Sequence, residues 1–192
     1  MARKVFSSDT ILDAAREIVI TRGPRSATVA AIAEQAGVPV GSIYHRFQSV
    51  DELLARTWLR AARRSQQRAL AVPVSPAGPV ATAQAVALAM YDYCLSEPQD
   101  TLLLDALSRT ELLGMAHGDL HDELERANDH AEERMAVLAR ALFGRADSRT
   151  RDLVLLAIVD MPHGFAQRQI ASGQRTPARR ERLAAAVAAV IG

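Results

Sequence analysis

Three residues that interrupt helices, Gly37, Pro39 and Gly41, fall within five positions of "AEQAGVPVGSIYHRFQSVDELL" (residues 33–54), between stretches of helical pattern. Glycine inside a helix costs backbone entropy, and proline loses a donor and collides with the preceding turn. The interruption is therefore a turn, and "VGSIYHRF" after it has room only for a very short helix. Ile43 and Phe47, four residues apart, share its inward face, which leaves Val40, Ser42, Tyr44, His45 and Arg46 to face outward. Such a helix is poor core material and well placed to meet a partner.

The flanking segments fix its setting. "SSDTILDAAREIVITRG" has an N-cap at Ser7, apolar Ile11, Ala14, Ala15, Ile18 and Val19 at helical spacing, and a stop at Gly23. Thr28 caps "VAAIAEQA", and Ser49 with Glu52 three residues later forms a capping box opening a long helix to about Leu70. Two short helices joined by a glycine turn and packed on a longer one make a helix-turn-helix, whose second helix enters a DNA major groove. In this reading Gly37 takes the left-handed conformation and Gly41 lets the backbone approach a phosphate or base. The competing reading is a three-helix packing unit that never meets DNA.

Charge bears on that choice. Residues 1–70 hold 11 basic and 6 acidic side chains, whereas the remaining residues hold 12 and 16. A basic head on an acidic body suits contact with a polyanion through the head alone, although ordinary solvated charge gives the same tally. With 49% hydrophobic and 23% charged residues the 192-residue chain can bury a core. Cys94 is the only cysteine, so no intrachain disulfide forms, which fits a reducing, cytoplasmic setting. No apolar run approaches the roughly 18 residues of a membrane helix. The start "MARKVFSSDT" has no apolar h-region and is not expected to be a signal peptide.

"TVAAIAEQAGVPVGSIYHRFQSVDELL" resembles the N-terminal signature of the TetR family of bacterial transcriptional regulators. The shared elements are Ile32-Ala33, Ala36-Gly37-Val38, Gly41, Tyr44, Phe47 and the Ser-x-acidic-acidic-Leu opening of the fourth helix, over about residues 7–60. The resemblance implies a DNA-binding domain at 1–48 and a ligand-binding and dimerisation domain at 49–192. It also implies that Thr28 bonds a phosphate, that Tyr44, His45 and Arg46 grip the backbone, and that Val40, Gly41 and Ser42 lie against base edges. Arg3 and Lys4, on an N-terminal arm, would reach phosphates or an adjacent minor groove. The family usually has lysine where this chain has Val50, so that phosphate contact is lost or supplied elsewhere. Neither Val40 nor Ser42 is a bidentate base reader, which shifts specificity toward Tyr44, methyl contact by Val40 and DNA shape.

The rest of the chain is helical in pattern. "AVPVSPAGPV" is a stiff connector. After it come "ATAQAVALAMYDYCLSEP", ending near Pro98, and "QDTLLLDALSRTELL". "DLHDELERANDHAEERMAVLARALFG" reads as a helix from an N-cap at Asp119 to Gly144. "DSRTRDLVLLAIVDMPHGFAQRQIASG" has Pro162 inside it and should kink there, and Thr176-Pro177 opens the last helix. "LVLLAIV" is apolar all round, and the last helix is similar from Leu183 to Ile191. Their apolar faces fit either a monomer core or a two-fold interface; the resemblance implies the second, with Leu156, Val159, Leu183, Val187 and Val190 at the seam.

Candidate ligand sites are less distinct. Trp58, Met90, Tyr91, Cys94, Leu107, Met135, His163 and Phe165 could line a pocket between helices, or be filler. His117, Asp119, His121, Asp122 and Glu123 have the residue types of a metal site, but Gly118 puts His117 in a loop, so a solvated loop is the expectation. No nucleophile with its base, phosphate-binding glycine loop or paired carboxylates appears, so neither a catalytic site nor a cofactor is expected. The sequence therefore points to an all-α homodimer, a repressor released from a near-palindromic duplex operator by a small, mostly apolar effector, with no membrane partner. The alternative is an all-α enzyme or metal-binding protein in which the helix-turn-helix is only structural.

Overall fold

The computed structural model describes residues 7–173 and 177–192, and among them there is no strand. Arg3, Lys4 and Thr176 lie outside the described residues. The chain divides into two compact units, Met1–Arg63 with Gln99–Ala127 and Arg64–Pro98 with Asn128–Gly192. The break in packing falls inside the long fourth helix, and a segment from mid-chain joins the N-terminal unit.

In the first unit, α1 (Ser8–Arg22) starts where the Ser7 hydroxyl accepts from the Thr10 N–H at 3.1 Å. α2 (Val29–Ala36) starts at Thr28, whose hydroxyl accepts from the Ala31 N–H at 3.2 Å. α3 (Val40–Tyr44) is five residues long, and α4 (Val50–Leu70) follows it. The expected single helix beginning at Gln99 is two: α6 (Pro98–Ala106) and α7 (Arg109–Met115), followed by α8 (Asp119–Glu125). Asp119 is the first residue of α8, not its cap, and Gly118 holds the cap position. Ile11, Ile18, Ile32, Ile43, Leu53 and Leu59 share one core with Leu103, Leu112 and Leu124, which is why the mid-chain helices belong to this unit. Trp58 and Leu107 are buried in that same core.

Polar ties inside the unit follow the same pairing. Arg60 bridges Asp9 at 2.9 Å and Asp13 at 2.6 Å, fastening α4 to α1. Arg63 pairs with Glu123, fastening α4 to α8. Arg16 pairs with Asp100, a carboxylate only 1% exposed, and so joins α1 to α6.

The second unit is built around α5 (Pro79–Ser96), against which α9 (Asp129–Phe143), α11 (Met161–Ser172) and α12 (Pro177–Ile191) pack. The helix expected to run unbroken from residue 119 to 144 is interrupted by a 3-10 turn at Arg126–Asn128. Before α11 comes α10 (Ser148–Leu155), capped by the Asp147 carboxylate, which accepts from the Thr150 N–H at 2.9 Å. Between α10 and α11 lies a π-helical stretch, Leu156–Asp160, just ahead of Pro162. Proline has no N–H for the usual helical bond and its ring crowds the carbonyl four residues back, so the helix widens there and continues.

Burial corrects part of the proposed dimer surface. Leu183 and Val187 are fully buried within the second unit, packed with Ala83, Val86, Val154 and Ala157. They have no surface to offer a partner copy. Val159 and Val190 are half-buried, while Leu155 and Leu156 remain 38% and 40% exposed. The "LVLLAIV" segment therefore does have an outer side, and it is leucine.

Candidate nucleic-acid interface

The reading head is assembled from local rules. α2 ends at Gly37 with φ +64° and ψ +35°, and the Val38 N–H returns to the Ala33 carbonyl at 3.0 Å. That left-handed step aims the chain out, and extended Pro39 opens α3. Gly37→Ala should lower stability by about 1 kcal/mol through φ alone, since no atom lies within 4 Å of the added Cβ. A shift of the urea midpoint with the slope unchanged would show it. Gly41 has an ordinary φ and its Cβ would also meet open space, so the fold itself does not demand glycine there.

Ile43 and Phe47 are buried in the first unit's core and fix the rotation of α3. Val40 and Tyr44 are then exposed, at 43% and 58%, and Gly41 and His45 are exposed beside them. Ser42 is half-buried. Arg46 is half-buried too, and its guanidinium donates to the Ser42 carbonyl at 2.9 Å. Thr28 is exposed at the start of α2, where unpaired N–H groups and the helix dipole favour an anion.

The seam between this head and α4 is a variant capping box. The Ser49 hydroxyl accepts from the Glu52 N–H at 3.1 Å, and the Glu52 carboxylate accepts from the Gln48 N–H at 2.7 Å. Partial burial pushes the Glu52 carboxyl up. The Gln48 N–H, then the bond and charge of Arg56, outweigh that and hold it below the ordinary 4.5. A carboxyl lowered in the folded state stabilises fully above its unfolded pKa, and this is lost as pH falls through the folded one. Stability should therefore decline on acidification below about pH 4.5, and Glu52→Gln should make that acid limb shallower in urea unfolding measured across the range.

The remaining candidates divide between the two units. Tyr91 and Cys94 are buried in the second unit's core, with Met135 and Phe165 packed against it. Met90 and His163 are half-buried in that unit. The polar partner that the sequence did not disclose is Gln169, buried, whose Oε1 accepts from the Tyr91 hydroxyl. One turn of α11 beyond Phe165, it has the spacing to share a helix face with it, a signal present in the sequence but too common to single out. A shallow open depression of about 420 Å³ is lined by Leu113, Ala116, His117, His121 and Asp122. His121 Nδ1 lies 3.3 Å from the Leu113 carbonyl and Nε2 lies 3.6 Å from Glu125. Among the described residues no group of three or more His, Cys, Asp or Glu is placed to hold a metal ion, and no helix is long and apolar enough to cross a membrane.

Comparison with known proteins bears on the head and the whole chain separately. Residues 11–57 match the family described as "Bacterial regulatory proteins, tetR family". No curated protein matches the sequence. Among solved structures, a TetR-like transcriptional regulator from Rhodococcus sp. RHA1 is similar at 16% identity with a TM-score of 0.71, over 100% of this chain and 96% of its own. The fatty acid degradation regulator FadR from Bacillus halodurans is similar at 16% identity and TM-score 0.71, over 100% and 97%. The ketosteroid transcriptional regulator KstR2 of Mycobacterium tuberculosis is similar at 19% identity and TM-score 0.69, over 100% and 96%. Residues 11–57 therefore match the head of that family, and along its full length the chain shares its fold with solved transcriptional regulators.

Proposed function

We propose that this protein is a ligand-responsive repressor that grips duplex DNA through residues 1–48 and uses residues 49–192 to dimerise and bind an effector. The observation that carries the reading is the five-residue α3, pinned from inside by Ile43 and Phe47 and presenting Val40, Gly41, Tyr44 and His45 outward. Thr28 and Tyr44 serve phosphates, while Val40, Gly41 and Ser42 meet base edges. Arg3 and Lys4, outside the described residues, serve as an arm.

Dimerisation is supported by Leu155 and Leu156, adjacent and exposed on the continuous helix of α10 and α11, with Val159 and Val190 partly open nearby in sequence to each helix end. A two-fold dimer reads a near-palindrome with half-site centres about one helical turn, or a multiple, apart. Selection from random duplex DNA tests this, and sites with no internal symmetry would contradict it.

An apolar effector is supported by the apolar character of the second unit's core, which holds Tyr91 and Cys94 with Met135 and Phe165 packed against it. The Tyr91–Gln169 pair offers orientation to such a molecule. Two proteins of the same fold are, by name, a fatty acid degradation regulator and a ketosteroid regulator, which also favours apolar chemistry. To act, the effector must bind the DNA-incompetent form better, and DNA must then weaken the effector by the same factor. A hundredfold effect needs about 2.7 kcal/mol. Medium-chain fatty acids and steroids can be screened by thermal shift, and a hit titrated with and without operator. Equal affinities would reject it as the switch.

A further inference from the structure

We propose that the head neutralises DNA phosphates through Arg22 and Arg25, and that Arg46 is a positioning residue that holds the recognition helix in shape. The proposal rests on the DNA-binding reading above and assigns its charges.

Four arginines of the first unit, one in the head and three on α4, are already committed to carboxylates. Arg16 pairs with Asp100, Arg56 with Glu52 at 2.8 Å, Arg60 with Asp9 and Asp13, and Arg63 with Glu123. A cation held by a carboxylate is poor at releasing counterions from DNA, because its charge is already compensated. Arg22 and Arg25 differ. Both are exposed, and among the described residues neither side chain makes a hydrogen bond or ion pair.

Their backbone is fixed. The Ser26 N–H donates to the Gly23 carbonyl at 3.1 Å, the Ala27 N–H to Pro24 at 3.1 Å, and the Thr28 N–H to Ser26 at 2.9 Å. The Ser26 hydroxyl donates to the Arg22 carbonyl at 2.9 Å, tying the turn to the end of α1. Two uncompensated cations thus sit on a braced turn, six and three residues ahead of the exposed Thr28 cap.

Arg46 is used differently. The His45 N–H makes a four-residue bond to Gly41 at 3.1 Å and the Phe47 N–H one to Ile43 at 2.9 Å, whereas the Arg46 N–H between them turns to Ile43 at 2.9 Å. The Ser42 carbonyl is thereby deprived of its own backbone donor, and the Arg46 guanidinium supplies one at 2.9 Å. In a helix of five residues this is a substantial part of the bonding, and the exposed Val40 and Tyr44 depend on it for their direction.

The test is the salt dependence of affinity, by fluorescence anisotropy, for a duplex recovered by selection, from about 50 to about 200 mM KCl. Arg22→Ala and Arg25→Ala should each flatten the slope of log affinity against log salt by about 0.9 per protomer bound. Arg46→Ala should weaken binding about tenfold at every salt concentration with the slope unchanged, the scale of a lost charge-assisted bond. Arg46→Gln, which keeps an N–H donor without the charge and guards against misfolding of the alanine variant, should also keep the wild-type slope. Unchanged slopes in both Arg22→Ala and Arg25→Ala, or a slope flattened by about 0.9 in Arg46→Gln, would overturn the assignment. Absence of salt-dependent binding by the wild-type chain would instead remove the DNA-binding reading, and this proposal with it.

Discussion

Leu156→Asp should give a folded protein that no longer dimerises, with a solution mass near 20.8 kDa in place of twice that value. Val187→Asp should unfold the second unit. The two substitutions add the same carboxylate to neighbouring apolar segments, and burial separates their outcomes. Leu156 is 40% exposed, so an aspartate there keeps its water and harms only a surface that packs on another copy. Val187 is fully buried with Val86, Val154 and Leu183, where an unpaired carboxylate costs several kcal/mol, a large part of a domain's stability. Light scattering and circular dichroism on the pair distinguish interface from core. A wild-type mass near 20.8 kDa at micromolar concentration would end the dimer reading.

Asp100→Ala should destabilise the first unit by about 3–5 kcal/mol, since it strips the partner from a largely buried guanidinium. Arg16 retains only Asp13, at 3.4 Å and half exposed, and its Nε already has no hydrogen-bond partner. The double variant Arg16→Met with Asp100→Leu should recover most of the loss, because an apolar pair of similar volume avoids the desolvation of both charges. Urea unfolding of the three variants checks both statements. A loss below about 1 kcal/mol for Asp100→Ala would place the pair among surface bridges of little worth. The pair matters beyond stability, because together with the shared apolar core it joins α6 to α1 within the unit that carries α3.

The head was legible because its signals are local. Ser7, Thr28 and Ser49 each cap a helix a few residues away, and Gly37 turns the chain where it stands. Ile43 and Phe47 fix the facing of α3 through a four-residue spacing. What the sequence hid was long-range. Nothing near Asp100 or Leu103 tells that the first pairs with Arg16 and the second joins a core with Ile11 and Ile18, all far away in sequence. An apolar helix such as Leu183–Ile191 discloses that it is buried, but not whether its own chain or a second copy buries it. The structure settles that for Leu183 and Val187. The break at Arg126–Asn128 falls in a run without glycine or proline, so composition marks no stop there.

The central claim is that the outward face of α3 grips DNA, and Tyr44 tests it most directly. Its side chain is 58% exposed, so Tyr44→Ala removes almost no packing and should leave the urea midpoint within error of wild type. Affinity for a selected duplex should fall by about 1 kcal/mol or more, roughly fivefold, as expected for a lost phosphate bond. Equal affinity of the two proteins for that duplex, at equal stability, would contradict the account.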